Sequence, residues 1–177
     1  MSRKPAGTQK NTSVQRLATL GLFTAVALMI YGLESMLPTL VPISGVKLGL
    51  ANVVTLIVLK RFGARDAFLV LLARILLGAC FFGQLLSLTY SLCGGLFCMA
   101  FMLFVDRILG GKFIYLTSVC GAIAHNAAQI TVAILITQTL GVLSYLPFLC
   151  VSAIVTGLFT GLCAHFTLKI LPVLQGK

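Results

Sequence analysis

Six apolar runs, most of them near the length of about 20 residues that crosses a bilayer core of roughly 30 Å, alternate with short basic clusters. They cover about Leu17–Leu37, Val46–Leu59, Asp66–Phe82, Leu85–Val105, Phe113–Leu140 and Leu146–Leu171. Hydrocarbon offers the backbone no hydrogen-bond partner, so a run of this kind has to satisfy its own amides as a helix. Arg3, Lys4, Lys10 and Arg16 precede the first run, Lys60, Arg61 and Arg65 follow the second, Arg107 and Lys112 follow the fourth, and Lys169 and Lys177 close the chain. If the runs cross alternately, nearly every Lys and Arg falls on one side, which the positive-inside rule makes cytoplasmic; Lys47 and Arg74 are the exceptions. The expectation is an all-α integral membrane protein. Residues 17–171 would form six transmembrane helices with both termini cytoplasmic, residues 1–16 a disordered basic tail and residues 172–177 a second tail. The first run is too long for a signal-peptide core and has no small-residue cleavage site after it, so it counts as a span.

Composition removes whole classes of function. With 59% hydrophobic and 9% charged residues and a mean hydropathy of +1.10, the chain lies outside the range of soluble domains. A net charge of +10 suits nucleic acid only when basic residues crowd a solvated surface; here they separate spans, so no nucleic-acid partner is expected. The six cysteines sit in apolar segments without metal-ligand spacing, Cys93 and Cys98 being too far apart for CxxC, and read as small buried hydrophobes. The three acidic residues, Glu34, Asp66 and Asp106, cannot assemble the carboxylate cluster through which diphosphate enzymes hold magnesium. No Walker motif or nucleophile elbow is present. The chain reads as a non-enzyme, or at most a non-catalytic subunit, with no cofactor and no metal.

Polar residues inside the spans carry what function there is. In Gly121–Ile130, His125 and Gln129 lie one turn apart on one face with Asn126 beside them, and Ala122, Ala124, Ala127 and Ala128 leave little side chain around them. Amides and imidazoles are costly in lipid and belong in the bundle interior, against a partner or a ligand. Arg74 lies about 12 Å into the third span at 1.5 Å per residue. Its charge needs compensation, either from a carbonyl or carboxylate of another helix or from an anionic or carbonyl-bearing ligand. Glu34 is near the outer end of the first span, either solvated or turned into a pocket. Lys47 either snorkels or acts as counter-ion to Glu34 or a ligand. Asn52 lies in the first turns of a short, glycine-bounded second span beside the loop Pro38–Val46, a pattern that suggests a broken or partly re-entrant passage. Gly21-xxx-Ala25, Gly45-xxx-Gly49 and Gly157-xxx-Gly161 are spacings that let helices approach closely.

The lead-in Val46–Asn52 (Val-Lys-Leu-Gly-Leu-Ala-Asn), the run Ala73–Gly78 and the stretch Gly121–Gln129 resemble the bacterial membrane family known as Gx transporter or heptaprenyl diphosphate synthase component I. The likeness covers about Leu17–Leu171. That family is in turn similar to the six-helix S-components of energy-coupling factor transporters, which implies an S-component-like bundle in a bacterial plasma membrane. It also implies a docking motif for a coupling subunit on the first helix, here Gly21 and Ala25, and a substrate held toward the outer side under the first loop.

Two functions follow. One is a membrane-embedded substrate-binding subunit for a vitamin-, quinone- or isoprenoid-like molecule, driven by a coupling subunit with separate ATPases. In it Arg74 would hold an anionic or carbonyl group, His125, Asn126 and Gln129 would supply directional hydrogen bonds, and Asn52, Glu34 and Lys47 would complete the pocket under a lid at Pro38–Val46. The alternative is a membrane accessory to a soluble prenyl synthase subunit. A third reading, a proton-linked carrier using Glu34 and His125, lacks the internal repeat such carriers usually show.

Overall fold

The computed structural model describes residues 7–36, 47–82 and 85–170. The expected lid at Pro38–Val46, Gly45 of its glycine pair and the tail at 172–177 lie outside the described residues. The rest folds into helices α1 (Gly7–Met36), α2 (Asn52–Phe62), α3 (Ala64–Phe82), α4 (Leu85–Ile108), α5 (Ile114–Thr137) and α6 (Leu146–Ile170), with a short 3-10 helix at Leu140–Tyr145. No strand occurs among the described residues.

Four segments are long and apolar enough to cross a membrane: Ser13–Met36, Leu86–Ile108, Ile114–Thr137 and Leu140–Ile170. With large apolar side chains such as Leu22, Phe97, Phe104, Val155 and Phe159 facing outward, a surface suited to lipid, this is a membrane protein. The two other helices differ for visible reasons. α3 carries Arg65, Asp66 and Arg74 within its 19 residues. α2 has 11 residues, only about 16 Å of helix at 1.5 Å per residue. It starts late because Lys47–Gly49 is non-helical and Gly49 has φ +79°, a conformation that interrupts a helix and that L side chains rarely adopt. The second helix thus starts six residues after the expected Val46.

α1 begins at Gly7, ten residues before the expected start, so part of the presumed tail is helix. At the end of this extension the Arg16 guanidinium holds Asp66 of α3 at 2.6 Å. Lys60 at the end of α2 pairs likewise with Asp106 of α4 and donates to the Gly111 carbonyl at 3.0 Å.

α5 is the central element, packing extensively on both α4 and α6. Its contact with α6 depends on the glycine pair of the sixth run. A Cβ at Gly157 would stand 2.7 Å from Val119 Cα, and one at Gly161 would stand 3.1 Å from Ser118 Cβ. Beside them Ser118 and Thr160 hydroxyls bond at 2.8 Å. Gly21, by contrast, has nothing within 4 Å, and it and Ala25 are both exposed on α1.

Candidate functional site

The lead-in to α2 meets α1, α3 and α5 in a buried polar cluster. Glu34 Oε1 at the end of α1 accepts the Gly49 N–H at 2.5 Å, and the Leu50 N–H also bears on this carboxylate. Lys47 sends its Nζ to Ser35 Oγ at 2.7 Å and lays it over the Tyr31 ring, 3.4 Å from the centroid. Its backbone N–H reaches Gln129 Oε1 at 3.4 Å. Asn52 is the bridge: Arg74 Nη2 donates to its Oδ1 at 3.2 Å, and its Nδ2 stands 3.2 Å from His125 Nδ1. Glu34, Asn52, Arg74, His125 and Gln129 are all buried, Arg74 at 3% and Gln129 at 0% exposure.

Small residues make the room. A Cβ on Gly49 would stand 2.9 Å from Asn52 Nδ2 and 3.0 Å from His125 Nε2, while one on Gly94 of α4 would stand 2.7 Å from the His125 ring. The imidazole is thus held between two glycines. A Cβ on neighbouring Gly95 would meet Leu71 at 2.9 Å and lie 3.6 Å from Arg74 Nη2.

Six of the expected residues therefore come together: Glu34, Lys47, Asn52, Arg74, His125 and Gln129. Asn126 does not. One residue on from His125 is about 100° around the helix, which turns its amide to α6, where Nδ2 donates to the Leu149 carbonyl at 3.0 Å. It lines a small apolar cavity of about 30 Å³ there with Ile130 and Ala153. Arg74 has found a neutral partner on α2 rather than a carboxylate; among the described residues Glu34 is not within ion-pair distance of it, although the two charges act on each other. Lys47 rests on a hydroxyl and an aromatic face and forms no ion pair with Glu34. Sequence reasoning missed Gly94, Tyr31 and Ser35. The adjacent glycines 94 and 95 inside the fourth run were the available signal, since a glycine pair within a span marks close approach.

The space behind Gly49 and Asn52 amounts to about 10 Å³ and extends to Thr160 of α6. On the other side of the same segment lies a far larger apolar groove of about 520 Å³ between α1, α2 and α6, lined by Val26, Ile30, Leu50, Val53, Ile57 and Phe159 among others. Thr160 borders both spaces. Among the described residues no group of three or more His, Cys, Asp or Glu side chains is placed to hold a metal ion.

Residues 23–167 match the model of the family described as heptaprenyl diphosphate synthase component I. No curated protein and no solved structure matches.

Proposed function

The chain belongs to the heptaprenyl diphosphate synthase component I family, and from that premise we propose that it is the membrane-embedded accessory subunit of a prenyl diphosphate synthase. A non-catalytic role suits a chain whose three carboxylates are each engaged elsewhere: Glu34 on Gly49, Asp66 on Arg16 and Asp106 on Lys60. The observation that carries the reading is the groove of about 520 Å³ on α2. Its walls are apolar and it opens toward the lipid-facing surface, the surroundings that a growing or finished isoprenoid chain requires. The subunit would keep that chain in the membrane while a soluble partner performs the condensation. In this reading six helices cross a bacterial plasma membrane with both termini in the cytoplasm, where the soluble partner is. Reconstituting the purified protein with a soluble prenyl synthase should raise synthesis of long-chain product, and Val53→Trp, which fills the groove, should abolish the gain. No association and no stimulation would sink the proposal.

A second reading, the substrate-binding subunit of an energy-coupling factor type transporter, is favoured by one observation: Gly21 and Ala25 face outward on α1 with no neighbour at Gly21, as a helix-docking pair for another subunit would. Mass spectrometry of the protein purified from its host separates the two, since that reading requires ATPase and coupling subunits and the first a soluble synthase.

A further inference from the structure

Charge in the cluster is unbalanced. Arg74 and Lys47 face the single carboxylate of Glu34 among the described residues, in a bundle interior where uncompensated charge is expensive. Its unused groups are donors. Arg74 can only donate, so the Asn52 atom it meets is Oδ1; Asn52 Nδ2 then donates to His125 Nδ1, and the imidazole proton resides on Nε2. The Lys47 N–H likewise sets the Gln129 amide with Oε1 accepting, which leaves Nε2 to donate. Arg74 Nε and Gln129 Nε2 are buried without a partner among the described residues, and the His125 imidazole beside them bears on the Gly94 backbone. Excess positive charge with two spare donors calls for an acceptor-rich anion.

That anion already has an internal stand-in. Glu34 Oε1 sits on the Gly49 N–H, three residues ahead of α2, and the N-terminal end of that helix favours negative charge nearby. The residues following Gly49 turn the opposite way: Leu50 and Val53 line the apolar groove, while Asn52 between them belongs to the cluster. One short segment thus separates a polar seat from an apolar channel.

We infer that the Gly49 segment, Arg74, His125 and Gln129 bind the phosphate or diphosphate head of an amphipathic ligand, whose apolar chain lies in the groove beside α2, and that the head displaces the Glu34 carboxylate. This rests on the proposed isoprenoid-holding role for the chain and adds the recognition of its head. Seating the head moves the Glu34 carboxylate off the Gly49 N–H, and Gly49, at φ +79°, is where the backbone can turn.

The test uses the full chain in phosphatidylcholine nanodiscs, titrated with farnesyl diphosphate and farnesol. Farnesyl diphosphate should bind about tenfold or more tighter than farnesol, the ratio one or two charge-assisted hydrogen bonds supply. Glu34→Gln keeps the size and an acceptor oxygen but removes the competing charge, and should tighten the diphosphate several-fold without changing farnesol. Gln129→Glu replaces a donor by a carboxylate of equal size and should weaken the diphosphate about tenfold. Competition by phosphatidate in the nanodisc would place the head on a membrane lipid, and competition by inorganic diphosphate on the free anion; both support an oxyanion seat. Equal binding of farnesol and farnesyl diphosphate overturns the inference, as does unchanged diphosphate affinity in a folded Glu34→Gln. If Glu34→Gln does not fold, unchanged affinity in Gln129→Glu overturns it. Stimulation of a synthase without head-group preference would remove this site and leave the accessory role standing; head-group preference without stimulation would do the reverse.

Discussion

Where α2 gives way to α3, each carboxylate has a cation on another helix: Asp66 of α3 holds Arg16 of α1, and Asp106 of α4 holds Lys60 of α2. In the cluster around Gly49, two cations stand near one carboxylate that neither pairs with, Arg74 bonds to a neutral amide, and two buried donors have no partner among the described residues. Both layers sit in the same bundle and use the same few residue types. Charges that only hold helices together are matched within the chain; charges left unmatched in a buried site point outside it.

Several measurements would break or sharpen that contrast. The largest effect is expected from Arg74→Met, which removes a buried guanidinium that lacks a close carboxylate. Binding of an anionic ligand should fall ten- to about a hundredfold, the worth of charge-assisted hydrogen bonds. The thermal midpoint in detergent should fall modestly, because Asn52 Oδ1 loses its donor and Glu34 a nearby positive charge. A sharp loss of stability with binding intact would make the cluster structural. Next comes Gly157→Ala, whose Cβ would meet the Val119 backbone at 2.7 Å. It should destabilise the α5–α6 contact by about 1–3 kcal/mol, read by thermal unfolding, with no selective effect on head-group recognition.

A smaller effect is expected at the matched layer. A double-mutant cycle on Lys60 and Asp106, both partly exposed, should give a coupling of about 0.5–1 kcal/mol that shrinks with added salt. Ligand affinity should not move. The smallest change is that of Gly21→Ala, where nothing lies within 4 Å. Stability should stay within about 0.5 kcal/mol, and any loss of subunit association in a pull-down would mark that face of α1 as a docking surface.

Much of the site was legible in the sequence because polar residues in apolar runs have few places to go. Glu34, Lys47, Asn52, Arg74, His125 and Gln129 stand out against lipid-compatible neighbours, and burial costs alone direct them inward. What periodicity did not convey was rotation. His125 and Asn126 are adjacent in sequence, yet one faces the Gly49 segment and the other the Leu149 carbonyl, because helix neighbours set which stripe points where. The pairing of Arg16 with Asp66 likewise spans 50 positions, and local composition carries no trace of it.

By itself, then, the sequence determined an all-helical membrane protein, a short glycine-led α2 and the residues held in the interior, since these follow from hydropathy, glycine placement and the cost of burying polar groups. Tertiary structure alone decided the pairing: that Asn52 bridges Arg74 to His125, that Glu34 takes the Gly49 N–H, and that a half-length α2 leaves an apolar groove between α1 and α6. Such contacts depend on how separate helices turn and slide against one another, and packing sets those degrees of freedom only once all the helices are together.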